Sequence, residues 1–240
     1  LKVRITEKCL EKNAGIYSLI PEFIDFKIKY LESTKLIEKD RDAGEDINPD
    51  GFDPNIVFQF YKNSSGKYLP GKSSGEQIPD NQIKNFIELS SIKNWRRKLS
   101  NETESLFELD GKQWKTVEHY YQASKFKRSN PQFFNLFSIE SKSPICKDVE
   151  KAKVAGSDSG SSDIFGQLRP KNIQFDVDFF GQRKNSELRK ALMAKFTQNE
   201  DLKHLLLETK QAKLTCYIPK KPNELAKQLI SIRAALSKNK

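Results

Sequence analysis

Glu118, Gln122 and Lys125 offer the first spacing in the chain that could do chemistry, because they fall within eight residues of a stretch that reads as helix. At about 100° per residue, Glu118 and Lys125 project within about 20° of each other, and Gln122 lies about 40° from Glu118 on the side away from Lys125. A carboxylate and an amine at a cleft edge are groups of acid–base and nucleophilic chemistry. The same spacing describes a solvated helix edge. Two helical turns, roughly 10 Å along the axis, separate Glu118 from Lys125, so a simple intrahelical salt bridge does not explain the pair.

The surrounding residues predict the elements that hold this row. Val117, Tyr120, Tyr121 and Ser124 gather on a neighbouring face, as the buried side of a helix does, so the row sits beside the apolar stripe. Thr116 stands where an N-cap belongs, and Glu118 falls in the first turn, where its charge complements the helix dipole. Upstream, Leu106–Leu109 and Lys112–Trp114 flank Asp110-Gly111, a pair that supplies the positive φ values of a two-residue hairpin turn.

At 240 residues and 36% hydrophobic content the chain can bury one good core. Sixteen Phe and seven Tyr against one Met predict aromatic filling of that core. No stretch approaches a membrane span. The net charge of +10 favours anionic partners, and because the lysines are spread along the chain, both phosphate-bearing small molecules and nucleic acid fit. Three distant cysteines and two histidines offer no zinc-ligand spacing, which predicts an intracellular, reducing compartment, cytoplasmic or nuclear, and no structural metal. The chain opens on Leu1 without a signal-peptide pattern, so it reads as a trimmed piece from which targeting information could have been removed.

In chain order, a helix is expected over roughly Glu22–Glu38, with an acidic, Gly- and Pro-containing linker from Lys39 to Pro54. This divides the chain into an extension, 1–55, and a main domain, 56–240. Asp46, Asn48, Asp50 and Gly51 imitate the start of a calcium loop, but position twelve is Val57 and Pro49 interrupts the run, so calcium is rejected. Ile56–Tyr61 reads as a strand. Gly66 with Gly71-Lys72-Ser73 then satisfies the P-loop pattern, yet Gly75 and Pro79 spoil the helix that must begin there to cradle phosphate. Asp80 is placed to cap a helix through Leu89. In Trp95–Asn101, WRRKLSN, three cations beside a Trp fit phosphate binding with base stacking, or a solvated basic turn over a core Trp. Further helices are expected over Pro131–Phe137, Ser186–Phe196, Glu200–Glu208 and Pro222–Leu236, and a strand over Ala212–Ile218. The small-residue loop Ala155–Gly166 permits close backbone approach to a ligand, as flexible surface linkers also do.

DGKQWKTVEHYYQASKF, Asp110–Phe126, resembles the signature of the NADAR family. So do, in order, FYKNSSGKYLPGKSSGE, NWRRKLSN, AKVAGSDSG, RP followed by DVDFF, ALMAKF, LLLETKQAKL and LISIR, which resemble its longer branch and span roughly Ile56–Leu236. The resemblance implies an α+β fold, mainly helical, as a single domain around a small sheet fed by the hairpin, the Ile56 strand and the Ala212 strand. It also implies a hydrolase that cleaves the N-glycosidic bond between a phosphorylated ribose and a nitrogen base, without metal or organic cofactor. The family includes enzymes acting on riboflavin-pathway intermediates and others removing ADP-ribose from guanine. ADP-ribose or a phosphoribosyl-type molecule is therefore the implied ligand, with ADP-ribosylated DNA or RNA as a wider partner.

Under that resemblance Glu118 is the carboxylate that faces the cationic ribose carbon or moves the proton, and Lys125 is the amine that forms a Schiff base with it. Tyr121 and Trp114 are expected as an aromatic wall for the base, and Gln122 and Asn101 as partners of ribose hydroxyls. Arg97, Lys153 and the Gly156-Ser157 loop are expected to hold the diphosphate. His119 is the family's partner to Glu118, in an orienting or structural role, and Asp178 with Phe179 matches a motif bordering the cleft or is a helix-entry Asp beside a core Phe. Glu102 and Leu106 depart from the family's usual aromatic residue and proline, so this wall differs. A non-catalytic ADP-ribose or NAD binder and a nucleic-acid-binding module are the competing readings.

Overall fold

The computed structural model describes residues 51–238 apart from Ser65 and Lys67. The helix expected over Glu22–Glu38 lies outside the described residues. The first described strand, β1 (Asp53–Phe60), begins inside the stretch expected as linker. Pairing overrides local composition here, since Asp53 N donates to Gln211 O at 2.6 Å. Ile56, Phe58 and Phe60 point inward at every second residue and are buried, the period a strand imposes.

β1 runs parallel to β6 (Ala212–Cys216), with Phe58 opposite Leu214 and Phe60 opposite Cys216. The short β7 (Glu224–Leu225) adds antiparallel to β6 and completes a three-stranded sheet. The hairpin of β2 (Phe107–Leu109) and β3 (Lys112–Trp114) forms as expected, with φ of 55° at Asp110 and 68° at Gly111. It is a separate two-stranded sheet and does not join the central one. A second small hairpin pairs β4 (Ser161–Ser162) with β5 (Gly166–Gln167).

Helices dominate the described residues. A 3₁₀ segment, Asp80–Phe86, leads into α1 (Ile87–Ser91) with Pro79 at the cap, so Asp80 contributes charge in the first turn rather than a capping bond. α2 (Trp95–Leu99) follows, then α3 (Val117–Ser124), α4 (Pro131–Asn135), α5 (Pro144–Lys147) and α6 (Val149–Ala155). The long α7 (Lys184–Gln198), α8 (Glu200–Glu208) and α9 (Lys227–Ser237) close the domain. α9 starts five residues later than Pro222, because Glu224 and Leu225 are taken by β7 and Ala226 N donates to Leu214 O at 2.9 Å.

α3 is the hub, packing against α6, α7 and the β2–β3 hairpin. Rings do much of the filling around it. Trp114 meets Tyr120 edge-on at 5.0 Å, and Phe126 meets Phe133 at 4.8 Å. The Tyr120 hydroxyl binds Asp110 Oδ2 at 2.7 Å and also reaches Glu187 on α7, so one buried phenol ties hairpin, hub and long helix together. The fold is α+β with a helical majority.

Candidate active site

Although polar along much of its length, α3 is buried on most of its sides: His119, Gln122, Ser124 and Lys125 are all withdrawn from solvent. Polar groups in such a place must find partners or carry function. Thr116 caps the helix by accepting from His119 N at 3.1 Å. Glu118 N donates to Asn101 O at 3.0 Å, so the segment after α2 sets the position of the carboxylate. Glu118 Oε1 accepts from Gln122 Nε2 at 2.7 Å. Burial raises the Glu118 carboxyl above its ordinary range and the charge of Glu102 adds to this, against the Gln122 bond and the cations Lys153 and Lys125.

Lys125 sits at the C-terminal end of α3, and its Nζ donates to Gly156 O at 2.6 Å. The rings of Tyr121 and Phe175 lie 5.8 and 5.5 Å from that nitrogen. Burial lowers the proton affinity of Lys125, while Glu118 and Asp158 act the other way. The Tyr121 phenol is raised, first by burial and then by the Glu118 charge. Glu118, Tyr121, Gln122 and Lys125 therefore form one recessed edge of α3, along which burial shifts the carboxyl and the amine toward neutrality.

The turn after α6 packs directly on this edge of α3. A methyl group at Gly156 would stand 2.0 Å from Gln122 Oε1, so only glycine lets this turn approach the hub helix. Gln122 Oε1 is buried with no hydrogen-bond donor among the described residues. Arg169 shapes the turn from behind. Its guanidinium donates to Ala155 O at 3.0 Å, Ser157 O at 2.6 Å and Asp158 O at 2.7 Å, and stacks 4.5 Å from the Phe175 ring. Ser157 Oγ is engaged inside the turn, donating to Val154 O at 2.7 Å. Lys153 lies at the margin, where it pairs with Glu102 at 3.2 Å.

Other expected residues are placed elsewhere. Trp114 has no exposed surface and its Nε1 donates to Leu109 O at 2.9 Å, so it is core filling and not a wall for a base. His119 turns back to Thr116 Oγ1 at 2.8 Å, and burial pushes it down to about 4, which leaves a neutral ring inside the cap. Arg97 donates to Ser64 O and ties the loop after β1 to α2. Asn101 contributes its backbone carbonyl to the Glu118 amide. In DVDFF, Asp178 pairs on the surface with Arg128 and Arg183, whereas Phe179 is buried and meets the Tyr121 ring at 5.6 Å.

The buried carboxylate of that motif is Asp176, which no local pattern singles out. It accepts from Arg128 N at 3.0 Å, Ser129 N at 2.9 Å and Arg183 at 2.6 Å, while its own N–H donates to Lys125 O at 2.7 Å. Lys195 escapes sequence reasoning as well. It is fully buried on α7 and donates to Lys98 O and Ser100 O, both at 2.8 Å, fixing the segment that carries Asn101. It stands in the ALMAKF segment, but neither spacing nor charge marks one lysine among 42 basic residues for burial. The P-loop imitation fails as expected: no helix starts at Lys72, and the N–H groups of Gly71 and Ser73 point to Glu76, which is paired internally with buried Arg96 at 2.6 Å. Among the described residues no His, Cys, Asp or Glu side chains cluster as metal ligands do, and no helix is long and apolar enough to cross a membrane.

The NADAR domain matches residues 81–221, more than half of the chain, and the chain belongs to the NADAR family. Members of that family are N-glycosidases. The chain is also similar to a solved structure, the NMR structure of the E. coli protein YbiA, at 19% identity and a TM-score of 0.42, covering 80% of this chain and 89% of that one. No curated protein matches it.

Proposed function

We propose that this protein is an N-glycosidase that hydrolyses the bond between the ribose of ADP-ribose, or a related phosphorylated ribose, and a nitrogen base, with ADP-ribosylated guanine in DNA or RNA as its substrate class. The observation that carries the reading is the placing of Glu118 and Lys125 along one edge of α3, the first held by Gln122 at 2.7 Å and the second by Gly156 O at 2.6 Å, with burial shifting both toward their neutral forms. Cleavage of an N-ribosyl bond develops positive charge at the anomeric carbon and needs a proton for the departing base. Protonated Glu118 gives that proton. The carboxylate it becomes then faces the cationic carbon.

Neutral Lys125 supplies the nucleophile. Its nitrogen bonds to the anomeric carbon as the carbon–base bond breaks and the base leaves with the Glu118 proton. Loss of a proton from the lysine nitrogen and opening of the ribose ring give a Schiff base, and water adding to that carbon releases the sugar and regenerates the amine. Gly156 O, the acceptor for Lys125, holds the nitrogen in place between the Tyr121 and Phe175 rings. Borohydride added during turnover should trap a ribosyl adduct on the wild-type protein and none on Lys125→Ala. Unaltered turnover in Lys125→Ala excludes the lysine route.

A further inference from the structure

Beside the Glu118 recess the side chains of Lys62, Glu102, Glu150 and Lys153 close a ring of four charges. Lys62 Nζ lies 2.9 Å from Glu102 Oε2 and also pairs with Glu150. Lys153 Nζ lies 3.2 Å from Glu102 Oε2 and 3.3 Å from Glu150 Oε2. A single oxygen of Glu102 therefore bridges both ammonium groups. The ring opens to solvent, with side-chain exposures between 22 and 44%. It also adjoins the reacting groups, since Asn101, the residue before Glu102, accepts the Glu118 amide. Burial acts to lower the Lys62 ammonium, yet its bonds to Glu150 and Glu102 hold it above the ordinary lysine range.

The four side chains are partly exposed and none belongs to the buried core, so the ring can open without loss of the fold. We infer that Glu102 is an internal competitor for the substrate's phosphates, occupying Lys62 and Lys153 until a diphosphate displaces it. This rests on reading the recess as a site for phosphorylated ribose. A diphosphate carries more charge and more acceptor oxygens than one carboxylate and wins the exchange, whereas an uncharged ribosyl group has nothing to win it with. Glu102 thus favours phosphorylated substrates, because only they offer Lys62 and Lys153 more than the carboxylate already does.

Calorimetric titration of the full chain with ADP-ribose and with inorganic pyrophosphate tests this. Glu102→Gln should bind both roughly three- to tenfold more tightly than wild type, and its affinity should fall more steeply with salt. Glu104→Gln, which removes an equal charge from an exposed side chain paired with Lys115, should bind as wild type does. Binding to Glu102→Gln that is unchanged, weaker or absent overturns the inference, as does equal tightening in Glu104→Gln. If Glu102→Gln tightens while Glu104→Gln does not, and no N-ribosyl substrate releases its base, the competitor stands and the N-glycosidase reading falls.

Discussion

Burial acts on Glu118 and Lys125 in opposite senses, and each consequence can be measured. Folded Glu118 holds its proton more tightly than the unfolded chain does, so its contribution to stability declines as pH rises from about 4.5 through the folded value. Glu118→Gln replaces the buried ionisable carboxyl with a neutral amide and keeps an acceptor for Gln122. It should raise Tm at pH 7 by about 2 °C, lose that advantage below pH 4, and abolish turnover, an exchange common at active sites. Thermal melts across that range check it; a lower Tm at pH 7 contradicts the assigned burial. The row itself was legible, because Glu118, Gln122 and Lys125 follow helical arithmetic. The positions of Trp114 and His119 were not, because which face of a helix or hairpin a core covers depends on partners distant in sequence.

Two elements hold the recess from outside α3, and each yields a prediction. Gly156→Ala puts a methyl group 2.0 Å from Gln122 Oε1 and 3.0 Å from its Cβ, so the Gln122 amide or the turn that carries the Lys125 acceptor must shift. Stability should drop by about 1–3 kcal/mol and turnover should fall more than ADP-ribose affinity, as separate kinetic and binding measurements would show. Lys195 acts through α7. Burial pushes it down to about 7 in the folded state from an ordinary 10.5. Between those values the unfolded chain binds more protons, so stability rises with pH across the window. Lys195→Met should abolish that rise and leave Lys98 O and Ser100 O short of donors, at a cost of about 1–3 kcal/mol, which denaturant titrations at pH 7 and 9.5 measure. Local chemistry announced the Asp110-Gly111 hairpin and the Thr116 cap. Lys195, Arg169 and Asp176 act on backbone groups far along the chain, and no spacing rule reaches that far. β7 was hidden for a related reason: two residues after a proline-rich turn become a strand when β6 offers them an edge.

Across the whole molecule, a formal charge of +10 makes the protein attractive to nucleic acid whether or not it is an enzyme, so affinity for DNA or RNA alone decides little. A nucleic-acid-binding module predicts steep salt dependence that Glu118→Ala leaves untouched. A non-catalytic ligand binder predicts tight ADP-ribose binding without release of base. An N-glycosidase predicts salt-dependent capture followed by chemistry that requires the recess. Release of ADP-ribose from an oligonucleotide carrying ADP-ribosylated guanine, with the unmodified guanine left in the strand, is therefore the most direct measurement of whether Glu118 and Lys125 cleave an N-ribosyl bond. Wild-type protein should release ADP-ribose, Glu118→Gln and Lys125→Ala should each lose at least about a hundredfold in rate, and all three should keep the same Tm to within a few degrees. ADP-ribose release by wild type that persists in both variants, or a folded wild-type protein that cleaves no N-ribosyl substrate, would contradict that role.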